Sequence, residues 1–336
     1  LRCQLIVMMS IDVYAAGKIR RSDHYICCVN GTFAKVIGQG YNSVARRTMK
    51  IIETAYGKIN LGLDVLGLRP DHYHEVAMVM QSIGLADTVT ITGAPELTVT
   101  TDCPGLAGDP SNLAYKAAVL MGKVAQRPPR VHIHIEKRIF LAAGLAGGST
   151  DAAAVLRGLN RYWDLRLTAD RLERLGAELG SDVPFCIEGG TALALGRGER
   201  VTPLPDLPAL SLVLVKPSLE ISTPWAYREF DRQKNVQHPD IDGMCAAIRA
   251  GDAEGVLRRL GNVLEPVTAG AHPEINEIRK IMQENGAGAV QMSGSGPTVF
   301  GVLEDLAAGD TIAAMARARS WEAAVTETRG RVRLWQ

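Results

Sequence analysis

The sequence predicts an α+β fold in two domains. Its 336 residues are enough for two domains with hydrophobic cores of their own. Segments typical of strands are separated by segments typical of helices, but without the strict alternation of a parallel α/β sheet. A proline-rich stretch at 203–208 marks the best boundary. We therefore expect an N-terminal domain over 49–208 and a C-terminal domain over 209–330.

The first 48 residues differ from the rest of the chain in their pattern. They lack sustained periodicity, and their apolar beginning at 1–9 is short and has no small-residue cleavage site, so it is a poor signal peptide. A regular strand-like pattern opens only at Met49. Because the chain begins with leucine, we expect Met49 to be the natural start. Residues 1–48 would then be an upstream extension without a packed role.

The N-terminal domain is expected to begin with one or two strand segments at 51–65, interrupted by Gly57 and Gly62. His132 and His134 alternate with apolar residues, which indicates the polar face of a strand and not a metal site. Four further strands of this domain are expected at 88–92, 97–101, 131–136 and 191–195. Three helices are expected at 112–124, 149–162 and 168–179, with Ser111 and Thr168 as caps of the first and third.

The C-terminal domain is expected to combine the same two kinds of element. Apolar spacing predicts five helices, at 223–230, 241–250, 253–260, 273–284 and 307–318. Short apolar runs predict four strands, at 212–215, 289–292, 298–303 and 323–328. The second and third of these strands are joined by a glycine-rich turn at 293–297.

Composition and charge exclude several classes of protein. The chain has 37 basic and 36 acidic residues, so its charge gives no indication of nucleic-acid or membrane binding. No apolar run approaches the roughly 18–20 residues of a membrane span. The six cysteines are scattered without a C-x-x-C pair, which favours reduced thiols over a zinc site. We expect a cytoplasmic protein that acts on small molecules as a monomer or homodimer.

The most informative segment is a glycine-rich loop that leads into a predicted helix. Gly144, Gly147 and Gly148 let the backbone wrap closely around a ligand, and the helix that begins at Ser149 leaves amides unpaired for a phosphate. A glycine-rich turn that merely begins a helix is also common, and neither a Walker lysine nor a G-x-G-x-x-G spacing is present. Asp151 would repel bound phosphates, so it either caps the helix or performs chemistry.

Three blocks resemble the GHMP kinases, the superfamily that phosphorylates galactose, homoserine, mevalonate and phosphomevalonate. The first is 55–61, in which Lys58 and Asn60 share one face of a strand. The second is the glycine-rich loop that ends in Asp151, and the third is the turn at 291–298. The resemblance implies a nucleotide-binding α+β domain, a ferredoxin-like α+β C-terminal domain, and ATP as the phosphoryl donor.

Within this superfamily, the chain most resembles the kinases that phosphorylate the 2-hydroxyl of 4-(cytidine 5'-diphospho)-2-C-methyl-D-erythritol, in the non-mevalonate isoprenoid pathway. The blocks that carry this resemblance are 69–75, 80–83, 87–88, 112–113, 136–139, 180–185, 221–227 and 262–266. Phe140 departs from the family, which usually has proline there. His72 stands where the family often has glycine, and glycine at that position suggests an unusual backbone angle.

The resemblance also implies roles for individual residues. Asp151 would accept the proton of the attacking hydroxyl, with Lys58 beside it. Cytosine would lie between Tyr73 and Tyr227, with His74 at its edge. Without the resemblance, the residues alone favour an ordinary half-buried tyrosine at Tyr73 and a helix-surface aromatic at Tyr227. The implied ATP-binding residues are Leu141, Ala142, Ala143, Gly144, Leu145, Ala146, Gly147, Gly148, Ser149, Thr150 and Asn112. The implied substrate-binding residues are Asn60, Tyr73, His74, Thr223, Tyr227, Gly294 and Ser295.

Mg²⁺ is expected with ATP, bound chiefly through phosphates and waters, without a certain protein ligand. Asp182 is interpreted as a turn residue. Two alternatives stay open: a mevalonate-type or homoserine-type kinase, and a nucleotide-binding regulator without turnover. Because the cytosine and the reacting hydroxyl belong to one molecule, we expect the active site at the domain interface. We also expect Lys58 to lie in or near contact with Asp151.

Overall fold

The computed structural model describes the backbone of residues 6–13, 19–29 and 32–36, and describes residues 49–332 with their side chains. The chain divides into two compact units, Leu1–Met49 and Lys50–Gln336. In the first unit, β1 (Ile6–Val13), β2 (Ile19–Val29) and β3 (Thr32–Val36) form an antiparallel sheet in that order. The other residues of 1–48 lie outside the described ones. That this segment is an extension stays a prediction.

The second unit contains the predicted mixture of strands and helices. Its first half comprises β4 (Ile51–Leu68), β5 (His74–Gly93), β6 (Thr98–Thr101), α1 (Leu113–Val124), β7 (Val131–Glu136), α2 (Gly147–Tyr162), α3 (Ala169–Leu179), α4 (Val183–Glu188), β8 (Thr191–Gly196) and β9 (Arg200–Pro203). Its second half comprises β10 (Ser211–Lys216), α5 (Thr223–Phe230), α6 (Ile241–Ala250), α7 (Ala253–Leu257), β11 (Gly261–Asn262), α8 (Glu265–Ala271), α9 (Glu274–Glu284), β12 (Ala287–Met292), β13 (Val299–Leu303), α10 (Leu306–Arg317) and β14 (Glu322–Glu327).

The larger sheet is built on the long antiparallel pair β4 and β5. Its strand order is β11-β4-β5-β7-β6, with β8 also paired to β5 and β9 to β8. The register of β4 against β5 shifts between Tyr56 and Lys58, between Asn60 and Gly62, and between Val65 and Gly67. β4 nevertheless runs unbroken from Ile51 to Leu68, so the predicted interruptions at Gly57 and Gly62 take the form of bulges, which glycine commonly marks. Helix α2 packs on β4 and β5 with buried side chains that include Val155 and Leu156.

The second sheet has the order β12-β13-β10-β14, and all its pairings are antiparallel. Helices α9 and α10 pack against it. A buried cluster joins this sheet to the larger one, with Ile59 and Leu61 of β4 in the same core as Leu212, Leu214 and Phe300. The strands on either side of the proline-rich boundary are thus held together by apolar burial, which fixes their relative placement.

Several element boundaries differ from the predicted ones. Only 88–92 was predicted as strand in the region of β5, which begins at His74. The earlier residues of β5, from Val76, are almost continuously apolar and buried, so they lack the alternation of a half-exposed strand. Helix α1 is capped by the Asn112 side chain and not by Ser111, whereas the predicted Thr168 cap of α3 is confirmed. None of the described helices is long and apolar enough to cross a bilayer.

Candidate active site

The glycine-rich loop and the second glycine-rich turn lock together, although they are far apart in sequence. The Ser293 hydroxyl donates a 3.0 Å hydrogen bond to the Gly144 carbonyl, and accepts one of 3.3 Å from the Asn60 N–H. Gly144 has φ +71°, and a Cβ there would lie 2.2 Å from the Ser293 carbonyl oxygen. Only glycine allows this approach. The three sequence blocks predicted to form one site therefore meet.

The second turn is fixed from its other side by Asn262, at the end of the two-residue strand β11. Its side-chain amide donates to the carbonyls of Met292, at 2.9 Å, and Gly294, at 2.8 Å. β11 pairs in parallel with Gly62 and Leu63 of β4. The turn is thereby held in register with the strand that carries Lys58 and Asn60.

The first turn of α2 presents unpaired backbone donors to the same space. Thr150 donates the first helical hydrogen bond, to the carbonyl of Ala146 at 2.9 Å. The N–H groups of Gly147, Gly148 and Ser149 precede that bond and have no helical acceptor. Together with the helix dipole, these donors form a site for an anion.

A cleft of about 810 Å³ opens between these elements and α5. It is lined by residues predicted to bind ATP, namely Leu141, Ala142, Ala143, Gly144, Ala146, Gly147, Gly148 and Ser149. It is also lined by all the predicted substrate-binding residues: Asn60, Tyr73, His74, Thr223, Tyr227, Gly294 and Ser295. Leu145, Thr150, Asn112 and Asp151 do not line it. The expected position at the interface of the two halves agrees with this arrangement.

Lys58 lies opposite Asp182 and not opposite Asp151. Its ammonium nitrogen donates to Asn60 Oδ1 at 2.7 Å and lies 3.9 Å from Asp182 Oδ2. No ion pair joins it to Asp151 in the described part of the chain, so the predicted direct contact between Lys58 and Asp151 is not formed, and their near proximity stays a prediction. Asp182 precedes α4 without capping it with its side chain, and its carboxylate lines the cleft. The sequence reasoning underestimated this residue.

Asp151 instead belongs to a buried ionic cluster with Lys137 and Asp87. The Lys137 ammonium lies 2.7 Å from Asp151 Oδ2 and 2.5 Å from Asp87 Oδ2, and its side chain is 6% exposed. Burial raises the pKa of Asp151 to about 7, against the lowering effect of Lys137, while Asp87 raises it further. Asp151 Oδ1 is buried without a hydrogen-bond partner. No role was predicted for Lys137 or Asp87, although each lies in a segment that resembles the kinase family.

Lys137 is the member of this cluster that reaches the cleft. A Cβ on Gly147, the first residue of α2, would lie 3.5 Å from the Lys137 ammonium nitrogen. Burial lowers the pKa of Lys137, but the two carboxylates outweigh that effect and raise it above its usual value. The beginning of α2 therefore has a charged ammonium beside it, which favours an anion at the helix N-terminus.

Aromatic side chains line one end of the cleft. The rings of His74 and Tyr227 lie 4.8 Å apart at an interplanar angle of 31°, and His74 Nε2 is 2.8 Å from Asp231 Oδ1. Tyr73 is 54% exposed, with the guanidinium of Arg197 4.8 Å from its ring centroid. This end offers aromatic faces of the kind on which a nucleobase stacks.

Three further observations concern residue types or positions that the sequence analysis considered. His72 has φ +63°, so the unusual backbone angle expected where the family often has glycine is present. Among the described residues, no group of three or more His, Cys, Asp or Glu side chains could hold a metal ion. Thr223 Oγ1 lies 2.9 Å from Ser295 Oγ and links α5 to the second glycine-rich turn.

Comparison with known proteins identifies the family to which this chain is similar. Residues 112–190 match the GHMP kinases N terminal domain, and residues 244–322 match the GHMP kinases C terminal domain. A 4-diphosphocytidyl-2-C-methyl-D-erythritol kinase of Bacillus licheniformis is 50% identical over 258 residues, 76% of this chain and 89% of that relative.

Solved structures agree with the sequence matches. A crystal structure of 4-(cytidine 5'-diphospho)-2C-methyl-D-erythritol kinase aligns with a TM-score of 0.71 at 34% identity, over 83% of this chain and 100% of its own. A mevalonate kinase from L. major shares the fold alone, with a TM-score of 0.67 at 17% identity over 84% of this chain and 97% of its own. The chain therefore belongs to the 4-diphosphocytidyl-2-C-methyl-D-erythritol kinase family of the GHMP kinases.

Proposed function

We propose that this protein transfers the γ-phosphoryl group of ATP to the 2-hydroxyl of 4-(cytidine 5'-diphospho)-2-C-methyl-D-erythritol, giving the 2-phosphate and ADP. The observation that carries the proposal is the shared cleft, which is lined by Lys58, Asp182 and the glycine-rich loop and also by the stacked rings of His74 and Tyr227. The names of relatives at about 50% identity support the same substrate.

Asp182 is the residue that we assign as the proton acceptor for the attacking hydroxyl. Its carboxylate lines the cleft, and the buried Lys58 ammonium 3.9 Å away would polarise the hydroxyl and offset its developing negative charge. Phosphoryl transfer depends mainly on positioning and charge stabilisation, which this pair would provide. Asp151 is the rival acceptor implied by the sequence, but it lies beneath Lys137, away from the cleft lining.

The glycine-rich loop and the first turn of α2 would hold the phosphates of ATP. Gly147, Gly148 and Ser149 supply free N–H donors there, and Lys137 supplies a positive charge beneath them. When bound, Mg²⁺ would neutralise phosphate charge. It would be carried by the phosphates and by water, because the described residues offer no carboxylate cluster for it. The need for ATP favours a cytoplasmic location.

The cytosine ring would lie at the aromatic end of the cleft. Tyr73 and Tyr227 both line that end and present faces for stacking, and Asp231 orients the His74 imidazole through Nε2. A cytidine substrate accounts for these three side chains. The mevalonate-type and homoserine-type alternatives would leave the aromatic end without a ligand. A regulator without turnover would have no use for the Lys58–Asp182 pair.

The test is ADP release by purified protein with ATP and each of three acceptors: the cytidylyl substrate, mevalonate and homoserine. We expect turnover only with the first, and loss of that turnover in Lys58→Met with nucleotide binding retained. Lys280→Met is a matched control, because Lys280 is an exposed residue of α9 outside the cleft. Turnover of mevalonate or homoserine, or ATP binding without any turnover, would contradict the proposal.

A further inference from the structure

Arg197 lies at the tip of a short turn between β8 and β9, residues 196–200, that is braced from several sides. Gly196 and Gly198 have φ of +76° and +108°, which allows the tight reversal around Arg197. Glu75 Oε1 accepts from the Gly196 N–H at 3.2 Å and from the Arg200 guanidinium at 2.6 Å. The turn therefore has a fixed position relative to β5.

The same network also fixes Tyr73. The Arg69 guanidinium donates to Glu75 Oε2 and also to Asp71. Asp71 Oδ1 in turn accepts a hydrogen bond of 3.2 Å from the backbone N–H of Tyr73. The guanidinium of Arg197 lies over the Tyr73 ring, at 4.8 Å from its centroid. One chain of ion pairs thus holds the arginine and the ring together at the cleft.

Arg197 differs from the other arginines of this network in its pairing. Arg69 and Arg200 each lie within 2.6 Å of a Glu75 carboxylate oxygen. The side-chain Nε of Arg197 lies 3.9 Å from Glu199 Oε2. That oxygen already accepts a 2.6 Å hydrogen bond from the backbone N–H of Arg197. The Arg197 side chain lines the cleft and is 31% exposed, so its guanidinium has donors left for a ligand.

The position of the turn indicates which part of a ligand Arg197 would meet. A Cβ on Gly198 would lie 3.7 Å from Ser181 Cβ, which places the turn against the residue that precedes Asp182. The turn that carries Arg197 therefore bridges the interval between Ser181, next to Asp182, and the Tyr73 ring. In a cytidine diphosphate ester, the diphosphate lies between the base and the reacting polyol, so it must cross the same interval.

We propose that Arg197 is a specificity-determining residue that binds the diphosphate of the cytidylyl substrate. This inference rests on the proposed function. A planar guanidinium that is held by stacking is suited to contact phosphate oxygens with two donors. Its role would be to distinguish a cytidine diphosphate ester from ligands that carry cytidine alone.

The test compares the binding of cytidine and CDP, by calorimetry, to the wild type and to Arg197→Gln. Hydrogen bonds to charged groups predict that Arg197→Gln weakens CDP binding by about 10- to 100-fold. Cytidine binding should stay unchanged, and the KM for the full substrate should rise without a fall in kcat. Arg197→Lys should restore part of the CDP affinity. Arg174→Gln is the matched control, because Arg174 is an exposed residue of α3 outside the cleft and outside the Glu75 network.

Three outcomes would overturn the inference. Equal loss of cytidine and CDP would mean that Arg197 acts only by holding Tyr73. Unchanged affinities for both ligands would mean that the diphosphate lies elsewhere. A selective loss of CDP binding in Arg228→Gln instead would identify the other arginine of the lining. In each of these cases the wild type still binds CDP and turns over the substrate. A wild type that binds no cytidine nucleotide would refute the proposed function together with the inference.

Discussion

Replacement of Asp182 by asparagine tests which carboxylate receives the proton of the attacking hydroxyl. Asparagine keeps the size of the side chain but cannot accept that proton, and a positioned general base contributes about 10²- to 10⁴-fold to the rate. We therefore expect kcat to fall by about 10²- to 10⁴-fold in Asp182→Asn. Nucleotide binding should be retained, because the glycine-rich loop does not depend on Asp182.

The cost of this replacement to stability follows from the geometry. Two unit charges about 4 Å apart attract by about 4 kcal/mol at an effective dielectric constant of 20. The Asp182 side chain is 31% exposed at the open cleft, where water screens its attraction to Lys58. Lys58 also keeps its hydrogen bond to Asn60. We therefore expect a loss of only about 1 kcal/mol in the free energy of unfolding, so the variant remains folded.

Asp151→Asn is the matched comparison for the rate. Asp151 does not line the cleft, and Lys137 would still be held by Asp87 at 2.5 Å. We expect kcat to fall by less than about tenfold, the result of a slightly displaced Lys137. The assay is ADP release at saturating ATP and cytidylyl substrate, with ATP binding measured by calorimetry. A loss of 100-fold or more in Asp151→Asn, about the lower bound for a general base, with near-normal Asp182→Asn would refute the geometric assignment.

Three further predictions concern stability, each measured by denaturant unfolding. Because burial raises the folded-state pKa of Asp151 from 3.8 to about 7, its contribution to stability is lost as pH rises from about 4 through 7. The free energy of unfolding of Asp151→Asn, relative to that of the wild type, should thus rise by about 2–3 kcal/mol between pH 5 and pH 8. A difference that does not change with pH would contradict the raised pKa as its cause. Gly144→Ala should cost about 2–4 kcal/mol, from its φ of +71° and the Ser293 carbonyl 2.2 Å from the new Cβ. Gly148→Ala, whose nearest contact would be Leu113 Cδ1 at 3.7 Å, should change stability by less than about 1 kcal/mol, and equal costs would refute the close approach. At His72, with φ +63°, glycine should be at least as stable as histidine and valine should cost about 1–2 kcal/mol, whereas a stabilising valine would contradict the strain.

The sequence predicted those parts of the site that depend on local backbone chemistry. Three glycines before a helix predict free amides, and the structure places Gly147 and Gly148 in the first turn of α2. Lysine and asparagine two residues apart predict one face of a strand, and Lys58 indeed donates to Asn60. These features follow from a few adjacent residues, so a single sequence contains enough information to find them.

The pairing of charges could not be predicted in the same way. Lys58, Lys137, Asp87, Asp151 and Asp182 lie on five different segments, and each lysine has several carboxylates that it could meet. Which pairs form is decided by the packing of α2, α4 and the larger sheet, which no periodicity specifies. The early part of β5 was missed for a related reason, because a strand buried on both faces shows no alternation.

The interlocked glycine turns have a consequence for protein synthesis. The backbone around Gly144 takes its functional shape against Ser293, and Asn262 in turn holds the carbonyls of Met292 and Gly294. A nascent chain therefore carries the loop for ATP long before the residues that brace it leave the ribosome. A chain interrupted ahead of Ser293 would lack this brace, so we expect it not to hold the glycine-rich loop in the shape that the complete pair of turns gives it.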